Sequence, residues 1–111
     1  MSHPGFRSLE KAKEKALAWA GQRRVPLHAI EYVATFEEWD DGVGVWIFYA
    51  TDADLKRGSI DGTNAQIQER LLEELRTANY PFSSFPRVAF EFDSNENVVR
   101  NFEGNYFYRL R

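Results

Sequence analysis

Two histidines, His3 and His28, are the only side chains in this sequence whose ordinary titration falls near neutral pH. His28 precedes a strand pattern with no carboxylate at a diagnostic spacing, so it reads as a structural or exposed imidazole rather than a general base. A serine nucleophile needs a shaped turn and a neighbouring base. Ser2, Ser8, Ser59, Ser83, Ser84 and Ser94 all lack the Gly-x-Ser-x-Gly setting. Cysteine is absent, which removes thiol catalysis, disulfides and thiolate metal sites. Asp52-Ala53-Asp54 opens like a calcium loop. However, Lys56 and Arg57 fall where further oxygen ligands are needed, and no glutamate closes the loop at the right distance. Gly42-Val43-Gly44 is too short for a phosphate loop. No catalytic residue, metal site or cofactor is expected, and the chain reads as a non-enzyme.

What remains is charge set among aromatic rings. Glu37, Glu38, Asp40 and Asp41 surround Trp39, and Asp52 and Asp54 follow at the far end of the next strand. A tryptophan ringed by carboxylates suits a basic protein surface; the plainer reading is a solvated hairpin tip. The net charge of −3 hides an uneven layout: residues 1–30 carry a net +4, residues 31–61 a net −6 and the rest a net −1. An acidic middle segment repels nucleic acid and attracts basic surfaces. Trp46, Phe48 and Tyr49 superficially resemble an RNA-stacking strand, but they lie in the most acidic part of the chain and read as core.

The elements that would position these residues follow from periodicity. Leu9, Ala12, Ala16 and Ala20 share a helical face, predicting a helix over 8–21 with Ser8 as cap and Gly21 as stop. Ile30, Tyr32, Ala34 and Phe36 alternate with polar residues, predicting a half-buried strand over 29–38. Asp40-Asp41-Gly42 supplies a hairpin turn. The return strand, 43–51, is apolar on both faces, as in a central strand covered on both sides. Residues 52–62 read as a polar connection. A second amphipathic helix over 64–78 carries Ile67, Leu71, Leu72 and Leu75, with Thr63 and Gln66 as a capping box. A strand over 87–92, a short helix or turn over 94–102 capped by Ser94, and a last aromatic strand over 105–110 complete the reading. The expected fold is a single α+β domain spanning 1–111: a mainly antiparallel four-stranded sheet, with an N-terminal helix and the second amphipathic helix packed against it. Ile30, Tyr32, Phe36, Ile47, Leu71, Leu75, Phe90 and Phe92 are expected to be buried. No apolar run reaches the roughly 20 residues a spanning helix needs, and no secretory h-region is visible, so a cytoplasmic address is expected.

The closing stretch runs Phe92-Asp93-Ser94, Glu96-Asn97-Val98, then Asn101 to Arg111 with Phe102, Tyr106, Phe107 and Tyr108. With this tail, its size, its acidity and its helix–hairpin layout, the chain resembles, as a type, the immunity proteins of contact-dependent inhibition and related polymorphic toxin systems. That resemblance implies stoichiometric binding to a toxin domain, often a nuclease, without catalysis. The expected function is therefore a protein-binding module for a basic protein partner, with Glu37, Glu38, Trp39, Asp40, Asp41, Asp52 and Asp54 as the binding residues. Two alternatives stand beside it. One is a small-molecule binder or minor enzyme with a pocket between the second helix and the sheet. The other is a subunit that self-associates through its tyrosine-rich last strand.

Overall fold

A computed structural model describes residues 6–34, 42–83 and 87–110. In chain order the elements are α1 (Phe6–Gln22), β1 (Leu27–Ala34), β2 (Gly42–Tyr49), α2 (Asp52–Ile60), α3 (Thr63–Thr77), β3 (Arg87–Ser94), α4 (Asn95–Phe102) and the single helical turn α5 (Tyr106–Arg109). The sheet has three strands in the order β1-β2-β3. β1 pairs antiparallel with β2, whereas β2 pairs in parallel with β3.

This corrects the expected four-stranded, mainly antiparallel sheet while keeping the α+β class. Two segments account for the difference. Residues 52–60 are helical rather than a polar connection: Thr51 accepts a hydrogen bond from the Asp54 N–H at 3.1 Å, and Asp52 and Asp54 lie in the first turn, where the helix dipole favours carboxylates. With α3 behind it, α2 completes a helical crossover that returns the chain to the start of β2. β3 can therefore run only parallel to β2. The expected last strand is instead α5. Glu103 and Gly104 both take left-handed φ, 54° and 73°, and reverse the chain after α4; Leu110 then bonds to the Tyr106 carbonyl at 3.0 Å.

The core lies between one sheet face and the helices α1 and α3. Leu9, Ala12 and Ala16 of α1 and Ile67, Leu71 and Leu75 of α3 pack with Ile30, Val43, Val45, Ile47 and Tyr49. Ile30, Ile47, Leu71 and Leu75 are buried as expected; Tyr32, Phe90 and Phe92 are half-buried at the margin, and Phe36 lies outside the described residues. Tyr32 reaches across to donate its hydroxyl to the Leu9 carbonyl, pinning α1 to β1.

Several caps differ from expectation. Ser8 is not a cap: α1 begins at Phe6, and the buried Ser8 hydroxyl donates to the Ala78 carbonyl at 2.8 Å, tying α1 to the end of α3. α1 also passes through Gly21 to Gln22. Thr63 and Gln66 form no capping box. Gly62, at φ 88°, is the N-cap of α3, and Thr63 bonds back to Asp61. Ser94 does cap α4, accepting from the Asn97 N–H at 3.1 Å.

Candidate functional site

The second sheet face is where helices leave polar and aromatic groups uncovered. Alternation sends Ile30, Val45 and Phe90 to the core, so Glu31, Trp46 and Glu91 point the other way. The pairing register sets these three side by side across the sheet, Glu31 opposite Trp46 and Trp46 opposite Glu91. Glu91 is exposed, and Glu31 and Trp46 are half-buried. An indole thus lies between two carboxylates on a surface that neither α1 nor α3 covers. Val33, Gly44 and Ala89 form the next row, and Arg87 stands at the start of β3 on the same face.

The C-terminal elements cover the other half of this face. Phe48 is fully buried beneath Tyr106, edge-on at 4.7 Å, and Tyr106 lies near-parallel to His28 at 6.3 Å. The Tyr106 hydroxyl donates to Asn95 Oδ1 at 2.6 Å. Burial raises the Tyr106 hydroxyl above its ordinary pKa, with the Glu31 and Asp93 carboxylates adding to the effect. One turn on from Tyr106, the Arg109 guanidinium lies 4.4 Å from the Trp46 ring centroid and 5.3 Å from that of Phe102, while its Nε donates to Asp93 Oδ2 at 2.6 Å. Asp93 is buried. It also accepts from the Ser94 N–H at 2.8 Å, and both of its oxygens accept from the Asn97 Nδ2, Oδ1 at 3.1 Å and Oδ2 at 2.9 Å. The result is a planar cation held between an indole and a phenyl ring by a carboxylate that other groups orient.

Next to it, α2 and α4 cap one another. Glu96 Oε1 accepts from the Asp52 N–H at 2.7 Å; the Ser94 hydroxyl donates to Asp52 Oδ1, and Arg100 pairs with Asp52 Oδ2 at 3.0 Å. The Ser94 hydroxyl and Arg100 hold the Asp52 carboxyl below its usual range. Asp52 thus serves two helix termini, and Asp54 pairs with Arg57 at 3.4 Å within α2. Both expected binding residues are thus already engaged within the fold, Asp52 with α4 and its cap and Asp54 within α2. Glu37, Glu38, Trp39, Asp40 and Asp41 lie outside the described residues. Sequence reasoning placed Trp46 in a doubly covered core and passed over Glu31, Glu91 and Arg109. The signal for the two glutamates was present, each being the charged member between apolar strand neighbours.

A separate groove of about 480 Å³ includes Trp19, Arg23, Glu69 and Arg70 in its lining. The guanidiniums of Arg23 and Arg70 lie 5.8 and 5.5 Å from the Trp19 centroid. Between α3 and the sheet, the position named in the small-molecule alternative, Ile67, Leu71 and Leu75 pack with β2. Among the described residues no group of three or more His, Asp and Glu converges as metal ligands, and no helix is long and apolar enough to cross a membrane. Compared with family models, with curated proteins and with solved structures, the chain has no match in any of the three.

Proposed function

We propose that this protein is a protein-binding module that receives a basic segment of its partner on the half-open sheet face centred on Trp46. The observation that carries this reading is the Glu31–Trp46–Glu91 row: a half-buried indole between two carboxylates that strand register sets on either side of it. Aromatic rings supply contact area at low entropic cost, and flanking carboxylates steer and orient a cationic partner. The net −6 of residues 31–61 favours the same partner class. The resemblance to immunity proteins implies a toxin domain as that basic partner, and neutralising it in the cytoplasm is the biological role we propose.

The test starts with affinity capture of a stoichiometric partner from the native host, followed by kinetics with the combined variant Glu31→Gln and Glu91→Gln. Neutralising the pair slows association several-fold at low salt, and raising salt slows the parent towards the variant. A variant that associates as fast as the parent at low salt overturns the assignment of this face.

A further inference from the structure

We propose that Trp46, Asp93 and Phe102 form a pocket for an arginine side chain of the partner, and that Arg109 of α5 occupies this pocket in the unbound molecule. The inference deepens the protein-binding reading above and rests on it for the source of the incoming arginine.

Three observations carry it. The pocket has the chemistry of guanidinium recognition, with an indole face at 4.4 Å, a phenyl ring at 5.3 Å and a carboxylate 2.6 Å from Nε. A guanidinium can stack on a ring and donate from its edge at the same time, which a compact ammonium cannot. Secondly, the pocket does not depend on Arg109 for its shape. The Asp93 carboxylate is fixed by the Ser94 N–H and the Asn97 amide, and Trp46 sits on the central strand of the sheet, stacked 6.1 Å from Phe48. Removing Arg109 leaves an oriented carboxylate beside two rings, a preorganised acceptor for the same group. Thirdly, the occupant belongs to the element least able to hold itself. α5 is a single turn of four residues, too short to be stable alone. Its anchor at Tyr106, against Phe48 and Asn95, lies three residues away and makes contacts in which Arg109 takes no part. The vacated pocket adjoins the Glu31–Trp46–Glu91 row, so one arginine entering it brings its neighbours over two further carboxylates.

An internal occupant competes with an external one. Emptying the pocket should therefore raise the apparent affinity for an outside guanidinium by about ten-fold or more. The probe is N-acetyl-argininamide, read by the indole N–H resonance of Trp46, assigned with Trp46→Phe. Arg109→Ala should bind the probe at least about ten-fold more tightly than the parent. N-acetyl-lysinamide should bind several-fold more weakly than the arginine probe. Asp93→Asn in the Arg109→Ala background should abolish the response. Arg109→Met, which keeps an aliphatic stem but has no donor for Asp93, serves as a second emptied form should the alanine variant fail to fold. A thermal midpoint that rises with N-acetyl-argininamide in the emptied variant but not in the parent is the second readout. The pocket is overturned if neither emptied variant shifts its Trp46 resonance with the probe, or if parent and variants respond alike. Failure of the underlying reading looks different: Glu31→Gln with Glu91→Gln then leaves partner association unchanged while the probe still fills the emptied pocket.

Discussion

Tyr49 shows how one residue joins the core to the crossover. Its ring is buried among the core side chains, and its hydroxyl donates to Asn64 Oδ1 at 2.5 Å at the start of α3. Gly58 of α2 permits this approach, since a Cβ there would collide with the Tyr49 hydroxyl. Burial, helped by the Asp61 and Asp54 carboxylates, pushes the hydroxyl from its ordinary 10.0 up to about 12. In the unfolded chain the same group releases its proton near 10. The folded chain therefore retains a proton that the unfolded chain has lost between these two values, and the stabilisation, fully present below pH 10, is lost as pH rises through 12. Tyr32 is shifted in the same direction, mainly by burial. The urea midpoint should hold up to about pH 10 and then fall, with a shallower fall in Tyr49→Phe. Equal slopes for parent and variant would refute the assignment. At this scale the sequence was legible in part. The alternation separated Tyr49 from Trp46 and Phe48 correctly, but it carried no information on what covers each face. Trp46 was therefore read as buried, though only Phe48 beside it is fully so.

At the scale of elements, the helices that pack along their whole length were the legible ones. The stripes Leu9, Ala12, Ala16, Ala20 and Ile67, Leu71, Leu75 predicted α1 and α3, because burial of one face imposes the 3.6-residue period. Leu75, 1% exposed, sits where α3 meets the sheet. Leu75→Ala should cost about 2–5 kcal/mol in urea unfolding, and a loss under about 0.5 kcal/mol would contradict the packing of α3, being the size of an ordinary surface substitution. α2 and α5 were not legible from periodicity. α2 buries only Gly58 fully and is specified instead by its ends, by Thr51 and by the reach of Glu96 from α4. The Thr51-x-x-Asp54 spacing carried a helix-start signal that the polar composition of the segment masked. α5 owes its form to tertiary contacts: Tyr106 and Arg109 are three apart, so one helical turn lays both on the sheet. A strand would also reach the sheet but would hold these two side chains on opposite faces. The parallel β2–β3 pair was hidden for the same reason, since strand direction depends on whether the intervening segment is a crossover.

Over the whole molecule, the charge split along the chain becomes in part a split across the sheet. α1 covers the core face and turns Lys11 and Lys15 to solvent, while Glu31 and Glu91 lie on the opposite face with Trp46 between them. Charges on the two faces should act on encounter with a partner, whereas the ring should act on the duration of the complex, because Coulomb forces reach about a Debye length and contact area works only after docking. Trp46 is half-buried and outside the core cluster, so replacing it leaves the α1–α3 packing intact. It does remove the ring beneath Arg109, and this loosens α5 locally. Trp46→Ala is therefore expected to keep the circular dichroism of the parent, to associate with the captured partner within about three-fold of the parental rate, and to dissociate ten-fold or more faster, the order of a hot-spot truncation costing about 2 kcal/mol. The Glu31 and Glu91 double variant should show the converse, slow association with near-parental dissociation. If both variants change only the association rate, the indole contributes charge steering through its neighbours and is not an anchor. If neither changes either rate while both remain folded, the partner binds elsewhere, and the basic outer side of α1 becomes the surface to mutate next.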